Sequence, residues 1–363
     1  MDDTKTQVLD LIHKIRPYLL RDGGDIEVLN VEDGIVYVKM LGACDGCIAL
    51  DVTLKQGIET MLLENVPGVI AVLHITEPLE GDCIMKKIGF VVDSTFGIEL
   101  KDIYEHHVEV VRLNVLIGGD TYVDGTLEPK KIIEALGQKT TIKTSQPSPD
   151  LFVKAFEKQL ERFDAVICLT LSQTLSGTYN SAVLAGSILA NPNVFVVDTQ
   201  TTINGGAYIL EKALPYAKTH TVHEVLEYIE LLKAKGSLIF TVHNLNTLVN
   251  NGRLGRVQAL IGNILKIKPI LRFKQGVLEV EHKARSFKNV IIYLVDQVQK
   301  MIEKGKVVIR IAYVDESIQA KVLEHEIFSL GDSVSVKITG GISPVISAHV
   351  GLGGLGIYLA QEV

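Results

Sequence analysis

Hydrophobic positions change their period along the chain, and the changes mark the elements. Val8, Leu11, Ile12, Ile15 and Leu19 recur at helical spacing on one face, which predicts a helix over about residues 4–20. Arg21-Asp22-Gly23-Gly24-Asp25 is turn-forming. Residues 26–31 and 35–41 are β-like runs joined at Glu32-Asp33-Gly34, the pattern of a hairpin. Helical spacing returns over 52–64, with Leu54, Ile58, Met61 and Leu62 inward, and 69–75 reads as a third strand. The order α-β-β-α-β makes a small α+β domain over residues 1–78. Residues 79–87 carry Glu80-Gly81-Asp82 and Lys86-Lys87, a polar, turn-prone linker.

From Ile88 the pattern is different. Continuous apolar runs at 88–92, 108–117, 165–170 and 194–198 alternate with helical stretches, which predicts a parallel sheet covered on both faces. Sites in such sheets lie beyond the C-terminal strand ends, where Asp93-Ser94-Thr95, Leu171-Ser172 and Asp198-Thr199 fall. This lobe is assigned to residues 88–245. After about Phe240 the character changes, and strand-like runs at 278–282, 307–314 and 334–338 predict a second lobe over 246–363 with a mixed or antiparallel sheet. The predicted class is α/β, with the small α+β domain in front of a two-lobed body. A cleft between two lobes is a common ligand location.

Composition narrows the function classes. The 363 residues give room for two or three domains, and the net charge of −7 argues against broad nucleic-acid binding, which needs a basic face. No apolar run reaches membrane-spanning length, and MDDTKTQ lacks the basic and apolar regions of a signal peptide. Four cysteines in so long a chain do not make a disulfide scaffold, so a cytoplasmic location is the default.

Hydroxyl-rich segments carry the chemistry. Residues 143–149, KTSQPSP, and 171–179, LSQTLSGTY, flank an apolar strand, and a small-residue helix follows. Hydroxyls between a strand and a helix start meet unpaired backbone N–H groups, which is an anion site. The plainer reading is a set of N-caps, since Ser and Thr are usual there; two clusters favour binding. Arg253 lies in the Asn251-Gly252-Arg253 turn. His349 is placed at the end of an apolar strand, before the glycines of 351–356. Those glycines are not a dinucleotide fingerprint, because too little chain follows to complete a βαβ unit. In the first domain, Cys44-Asp45-Gly46-Cys47 sits between a strand and a helix start, where thiolate is stabilised. It reads as a redox dithiol, as half of a metal or iron–sulfur site, or as an inert turn. Cys83 and Cys168 lie in other contexts.

KTSQPSP and LSQTLSGTY, with IGFVVDST upstream and NNGRL, LKIKPIL and VISAHVGLGGLG downstream, resemble the DegV family of fatty-acid-binding proteins from about residue 86 onward. The resemblance implies a long-chain fatty acid held between two lobes and presented to a separate fatty acid kinase. It assigns the carboxylate to Thr144, Ser176, Arg253 and His349, with Asp93, Ser94, Ser145, Gly177 and Arg285 supporting. The chain has no Walker A sequence, so phosphoryl transfer falls to the partner. The first 78 residues resemble the C-terminal domain of the NifU family, through IRPYLLRDGGDIEVLNVEDGIVYVKMLGACDGC and LKQGIETMLLENVPGV. That resemblance gives Cys44 and Cys47 the role of iron–sulfur ligands. It implies a [4Fe–4S] cluster shared by two chains in a homodimer, and iron–sulfur recipient proteins as partners. Ile48 stands where that family usually has Pro. Two other functions stay open: an iron–sulfur assembly factor with a lipid-sensing module, and a serine acyl hydrolase built on Ser176, His349 and Asp93. The absence of a G-x-S-x-G elbow weighs against the hydrolase.

Overall fold

The computed structural model describes residues 2–21, 24–32, 35–42, 58, 60–69, 71–74, 87–97, 105–243, 245–254 and 267–363. The chain divides into two compact units, Met1–Ile84 and Met85–Val363.

In the first unit a helix, Asp2–Arg21, precedes strands β1 (Gly24–Glu32) and β2 (Ile35–Gly42), which pair antiparallel. Strand β3 (Ala71–His74) runs parallel to β2, giving the order β1-β2-β3. Val8 and Ile12 of the helix pack with Ile26, Val36, Val38, Ile58 and Leu62. The helical spacing of the first pair and the alternation of the strand residues are therefore one requirement, a shared apolar face. Cys44, Cys47 and Cys83 lie outside the described residues.

The described residues of the second unit form three sheets. The first is parallel, in the order β10-β9-β4-β5, from β4 (Ile88–Asp93), β5 (Glu109–Val111), β9 (Ala165–Thr170) and β10 (Val194–Asp198). Every residue of β4 and β9 is buried, which is why these strands read as unbroken apolar runs. Helices Pro149–Leu160 and Thr178–Leu189 cover one face, packing Phe152, Phe156, Ala182 and Ala185 against Val91, Val166 and Cys168. Helices Asn204–Tyr216 and Val222–Lys235 share the core of the other face, with Tyr208, Ile209 and Val225 beside Phe90 and Leu169.

A six-stranded mixed sheet follows in the order β13-β12-β11-β16-β14-β15. Its strands are β11 (Gly236–Thr241), β12 (Lys268–Lys274), β13 (Val277–Ala284), β14 (Val307–Tyr313), β15 (Val334–Gly341) and β16 (Leu355–Gln361). Only β14 and β15 pair parallel. The sheet begins at Gly236, ahead of the lobe boundary expected at residues 245–246. Leu238 and Tyr358 of this sheet pack into the same core as helix Asn204–Tyr216, so that helix is buried between the two sheets.

The run expected as one strand over 108–117 is divided between two sheets. After β5 the chain leaves the parallel sheet at Arg112 and Leu113, and β6 (Asn114–Ile117) joins β7 (Asp120–Val123) and β8 (Ile142–Ser145) in an antiparallel order β7-β6-β8. Hydrogen bonds fix the transition: Leu113 N–H donates to Ser94 Oγ (3.1 Å), and Arg112 Nη1 donates to Asp124 O (3.0 Å). Apolar continuity alone does not reveal such a change of sheet.

A second correction concerns His349. It was expected at the end of a strand and lies in the last turn of a helix, Pro344–Val350. Ser343 caps this helix by accepting from Ile346 N–H, Pro344 occupies its first turn, and Gly351 ends it with a φ of 77°. The glycines separate this helix from β16 instead of following a strand.

Candidate functional site

The second unit holds an apolar cavity, with about 830 Å³ of empty space when its open mouth is counted. Leu171, Leu238, Phe240, Phe273 and Ile346 supply much of the wall. Thr144, Ser176, Arg253 and His349 all line it. They come from the end of β8, the loop after β9, the turn after the short helix Asn246–Asn250, and helix Pro344–Val350. Residues spread over more than two hundred positions of sequence are thereby brought to one cavity.

Their bonding shows how the wall is held. His349 Nε2 lies 2.8 Å from Thr144 Oγ1, and Asn251 Nδ2 lies 3.2 Å from His349 Nδ1. With Asn251 donating to Nδ1, the ring proton is assigned to Nε2 and is donated to Thr144 Oγ1. The Thr144 hydroxyl keeps its own hydrogen for a ligand. Burial and the nearby Arg253 charge push the His349 pKa down to about 4, so the ring is neutral at neutral pH. Arg253 donates from Nε to Leu175 O (3.1 Å) and from Nη1 to Asn251 O, and burial lowers its pKa. Among the described residues, no carboxylate forms an ion pair with Arg253. Its Nη2 takes no part in these bonds. A half-buried cation beside a neutral imidazole and hydroxyls, at the edge of an apolar cavity, has the chemistry to receive one anion.

The hydroxyl cluster 171–179 divides into two jobs. Ser172 Oγ donates to Gly276 O (2.7 Å) and Thr174 Oγ1 bonds to the same carbonyl, which ties the β12–β13 turn to the end of β9. Ser176 lines the cavity, with its Oγ 2.9 Å from Thr178 Oγ1 and accepting from Thr178 N–H (3.3 Å). Gly177 stands at the start of helix Thr178–Leu189, where Gln146 crosses it to donate to Ser181 Oγ (3.0 Å). A Cβ on Gly177 would meet the Gln146 amide, which would have to swing away from Ser181.

Asp93 and Ser94 are not on the cavity wall. Asp93 is fully buried and accepts from Thr95 N–H (2.9 Å), Thr95 Oγ1 (2.6 Å) and Leu171 N–H (2.6 Å). Ser94 Oγ donates to Asp124 Oδ2 (2.7 Å), and Asp124 Oδ1 accepts from Val345 N–H (3.2 Å) at the start of the helix that carries His349. Burial raises both carboxyl pKa values, that of Asp93 to about 6. Asp124 is a positioning residue that the sequence concealed, because Asp124-Gly125 reads as an ordinary turn. Asn251 was legible only as a turn residue. Ser145 and Arg285 are exposed and do not line the cavity.

Ser176, His349 and Asp93 do not form a relay. Ser176 bonds to Thr178, His349 to Thr144 and Asn251, and Asp93 to Thr95 and Leu171. A catalytic triad needs its base bonded to the nucleophile and its acid bonded to the base. Cys168 is fully buried in β9, and burial pushes its thiol pKa well up, so it is a core residue. No helix among the described residues is long and apolar enough to cross a membrane.

Comparison with known proteins gives this geometry a context. The sequence model of the DegV family matches residues 87–362, and that of the NifU-like domain matches residues 8–73. A DegV domain-containing protein of Staphylococcus aureus is 30% identical over 284 residues, covering 77% of this chain and all of the relative. One from Listeria innocua is 31% identical over 283 residues, covering 74% of this chain and 97% of the relative. A fatty-acid-binding DegV family protein from Thermus thermophilus superposes with a TM-score of 0.71 at 29% identity, covering 76% of this chain and 100% of its own. DegV of Bacillus subtilis, a fatty acid binding protein, gives 0.70 at 27% identity with the same coverage.

Proposed function

The chain belongs to the DegV family, and from that premise we propose that its second unit is a long-chain fatty acid carrier. The observation that carries this reading is Arg253, a half-buried cation without a carboxylate partner among the described residues, beside an otherwise apolar cavity. Thr144, Ser176 and Arg253 receive the carboxylate, His349 orients the Thr144 hydroxyl toward it, and the apolar wall receives the tail. The magnitudes divide the labour. Burying about fourteen methylenes at about 0.8 kcal/mol each gives roughly 11 kcal/mol before losses. Ordering the tail and the ligand takes back much of that. The tail thus supplies affinity, and the polar wall supplies selectivity for an acid over an ester or alcohol. The carrier presents the acid to a separate kinase, whose product is the acyl phosphate. Solvent extraction of the purified protein tests the reading: a fatty acid is expected in the extract. A protein that takes up no fatty acid after incubation with several overturns it.

The first unit adds a second activity to the proposal. The resemblance to the NifU family makes Cys44 and Cys47 the donors, and both lie outside the described residues. An iron–sulfur cubane takes about four thiolates, which two chains would supply together. The match to the NifU-like domain supports this reading. Anaerobic reconstitution is expected to load about four irons per two chains, with both iron and dimer lost in Cys44→Ser. A fully loaded monomer would exclude bridging.

A further inference from the structure

The cavity has a second polar place, and its residues are not used by the carboxylate wall. It lies in the segment Thr202-Ile203-Asn204, all three residues of which line the cavity. Ile203 has a φ of 50° and a ψ of −126°, a backbone conformation that a β-branched residue scarcely adopts. Such strain persists where the surroundings impose it, and it concentrates at ligand-binding segments. Here it turns the chain from the end of β10 into helix Asn204–Tyr216. The residues on either side of it differ in how they are bonded.

Thr202 is satisfied. Its hydroxyl donates to Thr95 Oγ1 (3.1 Å), which bonds in turn to Asp93. Asn204 is only half satisfied. It is 4% exposed and opens its helix directly after Ile203, whose side chain cannot cap it. Asn204 Oδ1 lies 2.9 Å from Thr339 Oγ1, and Nδ2 has no partner. Thr339 Oγ1 is also 3.0 Å from Ile311 O. A hydroxyl has one hydrogen and cannot donate to both oxygens. Reversing the amide resolves the conflict: Nδ2 donates to Thr339, Thr339 donates to Ile311 O, and Oδ1 becomes the unpaired end. In either orientation one end of a buried amide lacks a partner. As NH2 it requires an acceptor, and as C=O it requires a donor. An alkyl chain offers neither, whereas a hydroxyl offers both.

We propose that Asn204 reads an oxygen on the acyl chain, so that the cavity takes a hydroxylated fatty acid in preference to a plain one. The inference rests on the carrier reading above and specifies its ligand. The carboxylate stays with Arg253, Thr144 and Ser176, and Asn204 meets a hydroxyl at one position along the tail. Leaving a buried polar group unpaired is penalised far more than an extra hydrogen bond is rewarded. The preference therefore comes from the plain acid failing to satisfy Asn204.

Binding of octadecanoic acid is compared with that of hydroxyoctadecanoic acids carrying one hydroxyl at successive chain positions, using the full-length protein stripped of lipid. One positional isomer is expected to bind about tenfold tighter than the plain acid, with the isomers to either side losing the advantage. Asn204→Leu, close in volume and without the amide, is expected to bind the plain acid at least as well and to lose the positional optimum. The wild-type series decides the matter even if this variant folds poorly. If the plain acid binds tighter than every isomer, Asn204 is satisfied by water and the inference falls while the carrier reading stands. A positional optimum that survives in Asn204→Leu removes Asn204 as its source. If none of the acids binds, the carrier reading itself fails.

Discussion

A buried and a half-buried polar cluster in the second unit are bonded in opposite ways. The Asp93–Ser94–Asp124 cluster is closed: its carboxylate oxygens accept from Leu171, Thr95, Ser94 and Val345, all within the protein. The Thr144–Arg253–His349 wall is open: the Thr144 hydroxyl hydrogen and Arg253 Nη2 are left over after the internal bonds are made. A closed network fixes geometry, because every member already has what it needs. An open one can serve as a binding surface, because the donors left over from its internal bonds are free to meet a ligand in place of water. The clusters are linked in that order of cause. Asp93 holds the loop after β9, and Asp124 holds the helix bearing His349.

The contrast predicts different losses for similar changes. Asp93→Ala leaves two backbone N–H groups and a hydroxyl unpaired in a fully buried place. At about 1–3 kcal/mol for each stranded group, the variant is expected to lose several kcal/mol of stability in urea unfolding. Arg253→Ala removes a half-buried cation and is expected to unfold at nearly the wild-type midpoint. An Arg253 variant as destabilised as Asp93→Ala would show that the wall is closed as well.

The pH dependence separates the same two regions. Burial raises Asp93 to about 6 from 3.8, so its folded form holds a proton that the unfolded form has released. Stability from this group is full below pH 3.8 and falls as pH rises toward 6. His349 is lowered to about 4 from 6.5, chiefly by burial, so stability falls as pH drops from 6.5 toward 4. The two slopes oppose each other over pH 4 to 6 and are each worth about 3 kcal/mol across their windows. His349→Gln is expected to expose a decline with rising pH, and Asp93→Asn a decline with falling pH. Urea midpoints through the window read both. Parallel profiles for the two variants would mean that one of the groups does not titrate as its surroundings require.

Much of this arrangement was legible in the sequence, for a physical reason. The strands of the parallel sheet are buried on both faces, so 88–92 and 165–170 read as unbroken apolar runs, and the hydroxyl clusters stood out at their ends. Thr144, Ser176, Arg253 and His349, which all line the cavity, were assigned through the resemblance to the DegV family, because a lone Arg in a turn or a lone His reads by itself as a surface or structural residue. What escaped is what depends on tertiary bonding. Ser172 and Ser176 are equivalent in sequence, yet one clamps Gly276 and the other faces the cavity. Asp124 looks like a turn residue until Ser94 and Val345 are brought to it. His349 was placed on a strand because Val345-Ile346 is apolar and β-branched, and the Ser343-Pro344 start signal outweighed that preference. Asn204 carried no signal, since an Asn before Gly205-Gly206 reads as a turn.

Within the open wall, the charge and the hydroxyls are expected to contribute unequally. Arg253→Ala should weaken acid binding by about 1.5–3 kcal/mol, because it removes a charge-assisted bond from a partly desolvated place. Ser176→Ala should cost acid binding about 0.5–1.5 kcal/mol, the range for a neutral donor. The matching alcohols should bind nearly as well to both variants as to the wild type. Equal losses for acid and alcohol in a competition assay would mean that the carboxylate sits elsewhere.

The smallest expected effect is the most specific to the wiring of the wall. Asn251 Nδ2 donates to His349 Nδ1, and His349 Nε2 donates to Thr144. In this geometry the imidazole is neutral and held between Asn251 and Thr144, and among the described residues lining the cavity the positive charge is that of Arg253. With His349 held near 4, its protonation does not change as pH passes through the ordinary histidine value of 6.5. Acid affinity is therefore expected to stay flat across that value, since both Arg253 and the ligand carboxylate remain charged there. A cationic His349 would instead make affinity rise as pH falls through 6.5. Thr144→Val sharpens the distinction, because it removes the acceptor of the Nε2 hydrogen and leaves the charge in place. The loss should be about 0.5–1.5 kcal/mol at every pH in the range. A loss that appears only on the alkaline side would show that His349 is protonated when the ligand binds, and would place the second positive charge of the wall on the ring.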